Sequence, residues 1–451
     1  MKIGLIAMSG IRAANPDLMR LGMTLPGFIE RKRVVASLPS LSLLTLAGLT
    51  PPDIDVEYRE IRDLDADGQP AGDYDLVAIA TYSAQVLDAY RVADIYRSKG
   101  VPVVMGGLHV SVLPDEARAH GVTAVVGEGE LLWPQVLRDF RQGRLLPEYR
   151  AGKGLPFDLA EAPLPRFDLL DMARYNRITV QTSRGCPHRC DFCASSILLT
   201  PRYAVKPVER VLAEVRRIKE IWAHPFLEFA DDNSFVVRSH YKRLLHELRK
   251  EGVKWFTEAD VSVAEDDDLL DLMRESGCRQ VLIGLESPVA AGLDGVETRR
   301  NWKLRKLPSY EAAIRAIQSR GITVNGCFVL GLDGHDDGIF DSVYDFADRT
   351  GIYDVQVTVM TPFPGTPLYA RLRREGRILE DGAWNKCTLF DVNYVPMGMS
   401  PSRLQQGLID ISRRLYDREA VRRRRERFFR DLRCPRAGVE AAFEEDHRHE
   451  A

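Results

Sequence analysis

Apolar runs of strand length alternate with helical patterns along most of this chain of 451 residues. Strands that alternate with helices predict a parallel sheet with helices on both faces. A helical face between two of the runs begins at Val86, and Gly100 marks its end. Residues 1–146 are therefore predicted to form a doubly wound, Rossmann-like α/β domain. Its candidate strands are 2–7, 75–80, 102–105 and 123–126.

A second α/β unit follows a proline-containing stretch. Residues 147–174 show little periodicity and predict a linker. In residues 175–372, six strand-like runs alternate with five helical patterns, which predicts a partial (β/α)6 barrel, short of the usual eight strands. Residues 373–451 are predicted to form a mainly helical extension with a flap. The candidate barrel strands are 178–182, 226–230, 253–257, 280–285, 322–329 and 354–359.

The composition limits the partners of the chain. Hydrophobic residues make up 45% and charged residues 28%, as in ordinary globular proteins, and the net charge is -3. Nucleic acid is therefore not an expected partner. No apolar run is long enough to span a bilayer, and the N-terminus is predicted to be a strand instead of a signal peptide. We expect a cytoplasmic protein with at most peripheral membrane contact. The arginine-rich stretch 422–430 is the candidate for such contact, and the alternative is that it forms the solvated face of a packed helix.

Three of the seven cysteines, Cys186, Cys190 and Cys193, lie directly after the first predicted barrel strand. Thiols this close together in a reducing compartment usually bind metal. A four-iron cluster is normally held by four thiolates, so a loop that supplies three leaves one iron open to a small molecule. The alternative is a zinc site with His188 or Asp191 as the fourth ligand, although closed zinc sites usually use two separated ligand pairs.

The carboxyl ends of the predicted N-terminal strands carry a second group of candidate residues. Ligands of doubly wound sheets bind at these ends. Ser83 follows one strand, and Gly106-Gly107 and His109 follow the next. A glycine pair lets the backbone approach a ligand closely, because no Cβ intervenes. A further string, Val-Gly127-Glu-Gly-Glu130, follows the last of these strands.

The cysteine spacing C-x3-C-x2-C, with Phe192 before the last cysteine, resembles the cluster loop of the radical S-adenosylmethionine (SAM) superfamily. The resemblance implies that the three cysteines hold a [4Fe–4S] cluster, whose open iron binds the amino and carboxylate groups of SAM. It also implies that the backbone beside Phe192 meets the adenine. Asp232 and Glu286, at two predicted strand ends, match acidic motifs that contact SAM, and Asp260 is a further candidate. Acidic residues at strand ends can instead be helix caps or ion-pair partners.

The glycine string looks like the cobalamin-binding domain that precedes the radical SAM domain in one large subgroup. The resemblance places Ser83, Gly106 and Gly107 along the nucleotide tail of cobalamin, with His109 nearby. One feature departs from cobalamin domains of the methionine-synthase type, since the loop after the first strand contains no histidine. The cobalt is therefore expected to lack a histidine ligand. The alternative is a domain that keeps the fold without the cofactor.

Residues 1 to about 370 thus resemble cobalamin-dependent radical SAM enzymes, of the kind that includes class B methylases. This implies an oxygen-sensitive enzyme that methylates an unactivated carbon of a small-molecule, lipid or natural-product substrate. The implied route uses a 5′-deoxyadenosyl radical and methylcobalamin, with flavodoxin or ferredoxin as reductant. Two alternatives stay open: a non-methylating radical reaction, such as oxidative cyclisation, oxidation or ring rearrangement, and a non-catalytic corrinoid-binding protein. The sequence does not identify the substrate.

Overall fold

A computed structural model describes residues 1–21, 24–25, 38–68, 70–152, 156–195 and 202–433. The described residues contain two parallel six-stranded sheets, one in each half of the chain, followed by helices. The predicted fold class is confirmed. Residues 434–451, part of the predicted extension, lie outside the described residues.

The N-terminal sheet has the strand order β2-β1-β3-β4-β5-β6. The order reverses beside β1, so a crevice forms between the carboxyl ends of β1 and β3. Two strands were not predicted: β2 is an edge strand rich in charged residues, and β6 has three residues and lies in the predicted linker. The strands are β1 Lys2–Met8, β2 Asp55–Ile61, β3 Leu76–Ala80, β4 Val103–Gly106, β5 Thr123–Val126 and β6 Glu148–Arg150. The helices are Pro16–Arg20, Leu41–Leu49, Leu64–Asp67, Val86–Ser98, Leu108–Val112, Pro114–Ala119 and Gly129–Arg141.

The second sheet keeps the order of the chain, from β7 to β12, and all its described strands are parallel. In the described sheet, β7 and β12 are the two edge strands and do not pair with each other. The sheet is therefore not closed, as predicted for a partial barrel. The strands are β7 Ile178–Val180, β8 Phe226–Ser234, β9 Lys254–Ala259, β10 Cys278–Glu286, β11 Thr323–Leu330 and β12 Asp354–Val359. The helices are Val208–Ile221, Arg238–Glu251, Asp267–Glu275, Ala290–Leu293, Trp302–Lys306, Tyr310–Ser319 and Ile339–Thr350.

The two faces of the barrel strands differ in their accessibility. Side chains alternate between the faces, and Phe229, Trp255 and Val281 pack into the buried core under the helices. On the opposite face, Ala230 and Glu258 are exposed although they lie within central strands. The interior of a full barrel is filled by side chains, whereas this inner face borders an open space, here called the lumen. Its lining positions are Thr179, Glu228, Ala230, Asp232, Phe256, Glu258, Leu282, Gly284, Asn325, Cys327 and Gln356.

A segment of the C-terminal extension joins the two α/β units. Trp384 packs into a core of the N-terminal domain. Asp391 accepts backbone N–H groups of Ala14 and Asn15 at 2.7 and 2.8 Å, and the carbonyl of Leu389 accepts the N–H of Val359 at the end of β12. Residues 384–391 therefore fasten the open barrel edge to the first domain. The helix Pro367–Arg374 follows β12 and ends just inside the extension, whose other helices are Pro401–Leu415 and Arg418–Arg433.

The arginine-rich stretch packs against the protein. Arg424 is buried and donates to the carbonyl oxygen of Leu415 at 2.8 Å. Arg427 donates to the carbonyls of Asp348 and Arg349 at the end of a barrel helix. Arginines in such positions stabilise helix ends, which favours the interpretation of a packed helix with one solvated face. No described helix is both long and apolar enough to cross a membrane.

Gly107 takes a conformation that other residues rarely adopt. Its φ is +112°, and a Cβ there would lie 2.5 Å from the carbonyl oxygen of Thr81. Gly100 also has a positive φ, of +79°, but a Cβ there meets open space. Gly100→Ala is therefore expected to cost about 1 kcal/mol, and Gly107→Ala roughly 1–3 kcal/mol more, because of the added clash. Urea unfolding of both variants checks this, and equal losses would contradict the clash.

Candidate functional site

The cysteine loop follows β7 at the carboxyl end of the barrel sheet, where β/α barrels bind their ligands. None of Cys186, Cys190 and Cys193 forms a disulfide. Cys190 is buried and forms an isolated bridge with Glu297, whose carboxylate in turn accepts backbone N–H groups from the same region. Burial raises the pKa of Cys186 to about 11 and that of Cys190 to about 12. Both thiols thus become ligands only when a metal displaces their protons.

The surroundings of the thiols fit a cluster. Within the described parts of the chain, no three His, Cys, Asp or Glu side chains converge on a point that would hold a single metal ion. In a four-iron cluster each thiolate binds a different iron, so such convergence is not required. The amide Nδ2 of Asn233 donates toward the Sγ of Cys186 at 3.7 Å. Hydrogen bonds of this kind to cluster sulfurs tune iron–sulfur centres.

The adjacent acids Asp231 and Asp232 have different positions. Asp231 is buried and accepts the backbone N–H groups of Thr182 and Ser183, both at 2.8 Å, so it holds the end of β7. Asp232 accepts the N–H of Gly185 at 2.7 Å, yet its side chain is exposed on the lumen side. Burial of its surroundings raises the pKa of Asp232. Asp232 was predicted from the sequence as a site residue, whereas the anchoring role of Asp231 was not.

Asp260 lies on the outer side of the cysteine loop. Its Oδ2 accepts from His188 at 3.1 Å and from Asn233 at 2.8 Å, and its Oδ1 accepts the N–H of Ser262 at 2.9 Å. Burial opposes ionisation, but the hydrogen bonds from His188, Ser262 and Asn233 hold the pKa of Asp260 well below its usual range. His188 also lies against Trp302, with ring centroids 4.1 Å apart. Oδ2 of Asp260 thus supports the cysteine loop through His188, whereas Oδ1 caps the turn that follows β9.

Glu286 ends β10 in a strained conformation, with a φ of 63°. Its Oε1 lies 2.6 Å from the Nζ of Lys303, which also donates to the carbonyl of Gly284 at 2.8 Å. Burial alone would lower the pKa of Lys303, but Glu286 and Cys190 raise it, so the ammonium stays charged. Lys303 was not predicted from the sequence, because the helix Trp302–Lys306 that carries it was not predicted.

In the N-terminal domain, Ser83, Gly106, Gly107 and His109 lie together at the carboxyl ends of β3 and β4. His109 is only 1% exposed. Its Nδ1 lies 3.1 Å from the Oγ of Ser83, and its Nε2 lies 3.0 Å from the Oε1 of Glu116. Both ring nitrogens are therefore bound within the chain, and His109 orients Ser83.

The crevice beside β1 and β3 fits a polar ligand. The Oγ of Ser9 and the Oε1 of Gln85 are buried there without a hydrogen-bond partner among the described residues. Buried polar atoms of this kind normally bind a ligand or water. A Cβ on Gly106 would be in ordinary van der Waals contact with Val125, at 3.8 Å. Tyr82 is 54% exposed although its neighbours are buried. Burial of its surroundings and, after that, the charge of Glu228 raise the pKa of Tyr82.

Arg184 joins the two α/β units. Its guanidinium donates to Glu128 and Glu130, both at 2.6 Å, and all three side chains are largely buried. Burial alone would lower the pKa of Arg184, but the two carboxylates raise it. Glu128 and Glu130 belong to the glycine-containing string noted in the sequence, but no local pattern predicted that Arg184 is their partner.

Replacing Arg184 with glutamine leaves two buried carboxylates without their cation. We expect a loss of about 3–5 kcal/mol in the free energy of unfolding, with earlier proteolysis between the domains. Arg249→Gln is the control, since Arg249 pairs with Glu275 at the surface and both side chains are 50% exposed; its expected cost is about 0–1 kcal/mol. Urea unfolding compares the two, and similar small losses would show that the clamp contributes little.

Comparison with known families agrees with this geometry. The Radical SAM superfamily model matches residues 180–347, and the B12 binding domain model matches residues 57–137. The chain combines a radical SAM domain with a B12 binding domain. Its cofactors are a [4Fe–4S] cluster, SAM and cobalamin, and the predicted family and cofactors are confirmed. A domain of unknown function (DUF4070) matches residues 366–448.

Similar proteins span most of this radical SAM enzyme. The bacteriochlorophyllide d C-12(1)-methyltransferase of Chlorobaculum tepidum is 27% identical over 389 residues, 85% of this chain and 84% of the relative. The hopanoid C-2 methylase of Rhodopseudomonas palustris is 27% identical over 366 residues, 77% of this chain and 67% of the relative. The radical SAM methyltransferase TsrM of Kitasatospora setae, solved with cobalamin and a [4Fe–4S] cluster, shares the fold, with a TM-score of 0.67 and 16% identity over 94% of this chain and 90% of that chain.

Proposed function

We propose that this enzyme methylates an unactivated carbon of a small-molecule or lipid substrate. The observation that carries the proposal is that the two candidate sites adjoin: Arg184, two residues before Cys186, bonds at 2.6 Å to both Glu128 and Glu130, which follow β5 at the carboxyl end of the N-terminal sheet. The relatives named as methyltransferases support the reaction type. We keep the proposed domain boundaries, which are a cobalamin-binding domain at 1–146, a linker at 147–174, a radical SAM barrel at 175–372 and an extension at 373–451.

At the first site, we propose that Cys186, Cys190 and Cys193 hold the cluster, with Phe192 beside the adenine of SAM. Asp232 and Glu286 would bind the amino group and the ribose hydroxyls. When bound, the reduced cluster and SAM supply a 5′-deoxyadenosyl radical, and cobalamin supplies the methyl group. Asp260 contributes by holding His188 and Asn233 in place.

At the second site, Ser83, Gly106 and Gly107 would contact the nucleotide tail of cobalamin. His109, already bonded through both nitrogens, would orient the Ser83 hydroxyl and not bind cobalt. The Trp384 indole donates to Glu116 at 2.9 Å, so the C-terminal segment supports this arrangement. An electron donor such as flavodoxin or ferredoxin would reduce the enzyme.

Transfer of a labelled methyl group tests the proposal. Anaerobically reconstituted, cobalamin-loaded enzyme is incubated with reductant and SAM labelled in its methyl group. Bacteriochlorophyllide d and a hopanoid, which the names of the relatives suggest, serve as first candidate substrates. The proposal expects 5′-deoxyadenosine together with a labelled product. A product that forms with 5′-deoxyadenosine but without the label would assign the enzyme to a non-methylating radical reaction.

A further inference from the structure

The carboxylates of the lumen are not equivalent. Three of those at its lining positions or strand ends have partners within the chain: Glu228 pairs with Arg177 at 2.5 Å, Glu286 pairs with Lys303 at 2.6 Å, and Asp232 accepts the N–H of Gly185 at 2.7 Å. The side-chain carboxylate of Glu258 forms no hydrogen bond or ion pair within the part of the chain that the structure describes, and Arg177 acts on it only through its charge. This carboxylate is therefore an acceptor still available to a ligand.

The position of Glu258 disfavours the charged form of its carboxyl group. Glu258 lies on β9 beside Leu282 of β10, and its side chain is exposed to the lumen. Burial of the surroundings, followed by the charges of Glu228 and Asp232, raises the pKa of Glu258 to about 8, against a lowering by Arg177. An exposed carboxyl group exchanges hydrogen bonds with water, so a hydrogen-bond donor that enters the lumen can replace that water.

A second acceptor lies on the same face of the sheet as Glu258. Asn325 of β11 neighbours Leu282 of β10, which neighbours Glu258 of β9. The Oδ1 of Asn325 is buried without a hydrogen-bond partner among the described residues. Two strand spacings separate the two positions, about 10 Å. The Oγ1 of Thr179, on a neighbouring row, is likewise unsatisfied. Apolar side chains, including Phe256 and Leu282, lie between these polar groups.

The chemistry of this lining defines what fits it. Carboxylate and amide oxygens accept hydrogen bonds from hydroxyl or ammonium groups. Arg177 pairs with Glu228 and also lowers the pKa of Glu258, whereas Lys303 is engaged by Glu286. An anionic group placed beside Glu258 would meet the carboxylates of Glu258, Glu228 and Asp232, which the single charge of Arg177 does not balance, so its binding is unfavourable.

We propose that Glu258 binds a hydrogen-bond donor of the substrate, a hydroxyl or a protonated amine, inside the barrel. The inference rests on the proposed function only in taking the lumen as the substrate site. It identifies the substrate class as a molecule whose inner end is an alcohol or an amine and not a carboxylate. The apolar lining would contact the carbon skeleton beside that group.

Matched probes test this preference without turnover. Hexylammonium, 1-hexanol and hexanoate are titrated into the full-length, reconstituted, cobalamin-loaded protein by ligand-observed NMR. We expect the two donor probes to bind at least about tenfold more tightly than hexanoate, equivalent to about 1.4 kcal/mol. Hexylammonium should also bind more tightly as the pH rises through about 8, because Glu258 then becomes charged. Hexanoate binding as well as the donors would overturn the proposal.

Variants separate Glu258 from its surroundings. Glu258→Gln is expected to lose the tenfold preference and the pH dependence, whereas Glu258→Asp should keep both in weaker form. Glu247→Gln, at an exposed helix position, is the control that should match the wild type. Cluster and cobalamin absorbance show that each variant is folded. Unchanged selectivity in Glu258→Gln would refute the assignment, and 5′-deoxyadenosine formation reports separately on the proposed function.

Discussion

Cys190→Ala is expected to abolish both assembly of the iron–sulfur cluster and cleavage of SAM. Cys190 is the buried member of the three cysteines and is held to Glu297 by a backbone bridge. Since the loop supplies only three thiolates, removing one leaves two, too few to retain a four-iron cluster. Iron and sulfide analysis of anaerobically reconstituted protein measures assembly, and chromatography of 5′-deoxyadenosine measures cleavage.

The control for this variant is Cys278→Ala. Cys278 is fully buried in the barrel core, far along the chain from the loop, so its loss removes a small packed group and no proposed ligand. We expect this variant to keep full cluster content at the cost of about 1–2 kcal/mol of stability. A Cys190→Ala protein that still holds four irons and cleaves SAM would show that the cluster is bound elsewhere.

Lys303→Met is expected to destabilise the barrel by about 3–5 kcal/mol, because it leaves the buried Glu286 carboxylate unpaired. Both side chains are only 9% exposed, so water cannot replace the lost ammonium. The backbone of Glu286 is also strained, and the ion pair helps to hold it. Urea unfolding of the protein, monitored by circular dichroism, measures the change.

Two further variants identify the cause. Lys306→Met lies three residues away and removes a surface pair with Glu265, so about 0–1 kcal/mol is expected. The double variant Lys303→Met, Glu286→Gln removes the uncompensated charge and should recover part of the lost stability. If the double variant is no more stable than Lys303→Met alone, the loss comes from packing and not from charge.

Hydrophobic patterns along the sequence predicted the barrel strands and five of the barrel helices. All six barrel strands were predicted because each is a compact apolar run, and five barrel helices were predicted from their periodicity. The strands β2 and β6 were missed because an edge strand with alternating charges and a strand of three residues carry little hydrophobic signal. Their places in the sheet come from pairing with distant residues.

The site shows the same limit. The cysteines could be selected because their spacing is itself local, and acidic residues at strand ends because strand ends are predictable. The partners could not: Arg184 meets Glu128 and Glu130 across 56 and 54 residues, and Asp260 receives a hydrogen bond from His188 across 72. Glu258 could not be selected from the sequence, because its significance is that its carboxylate faces the lumen without a side-chain partner, and this is visible only in the folded structure.

The central claim is that three thiolates hold a four-iron cluster with one iron open to SAM. Mössbauer spectroscopy of anaerobically reconstituted, iron-57-labelled protein tests it most directly, with and without SAM. We predict a single four-iron cluster in which SAM changes the signal of one iron and leaves the other three as they were. The absence of such a cluster, or a spectrum that SAM does not alter, would contradict the account.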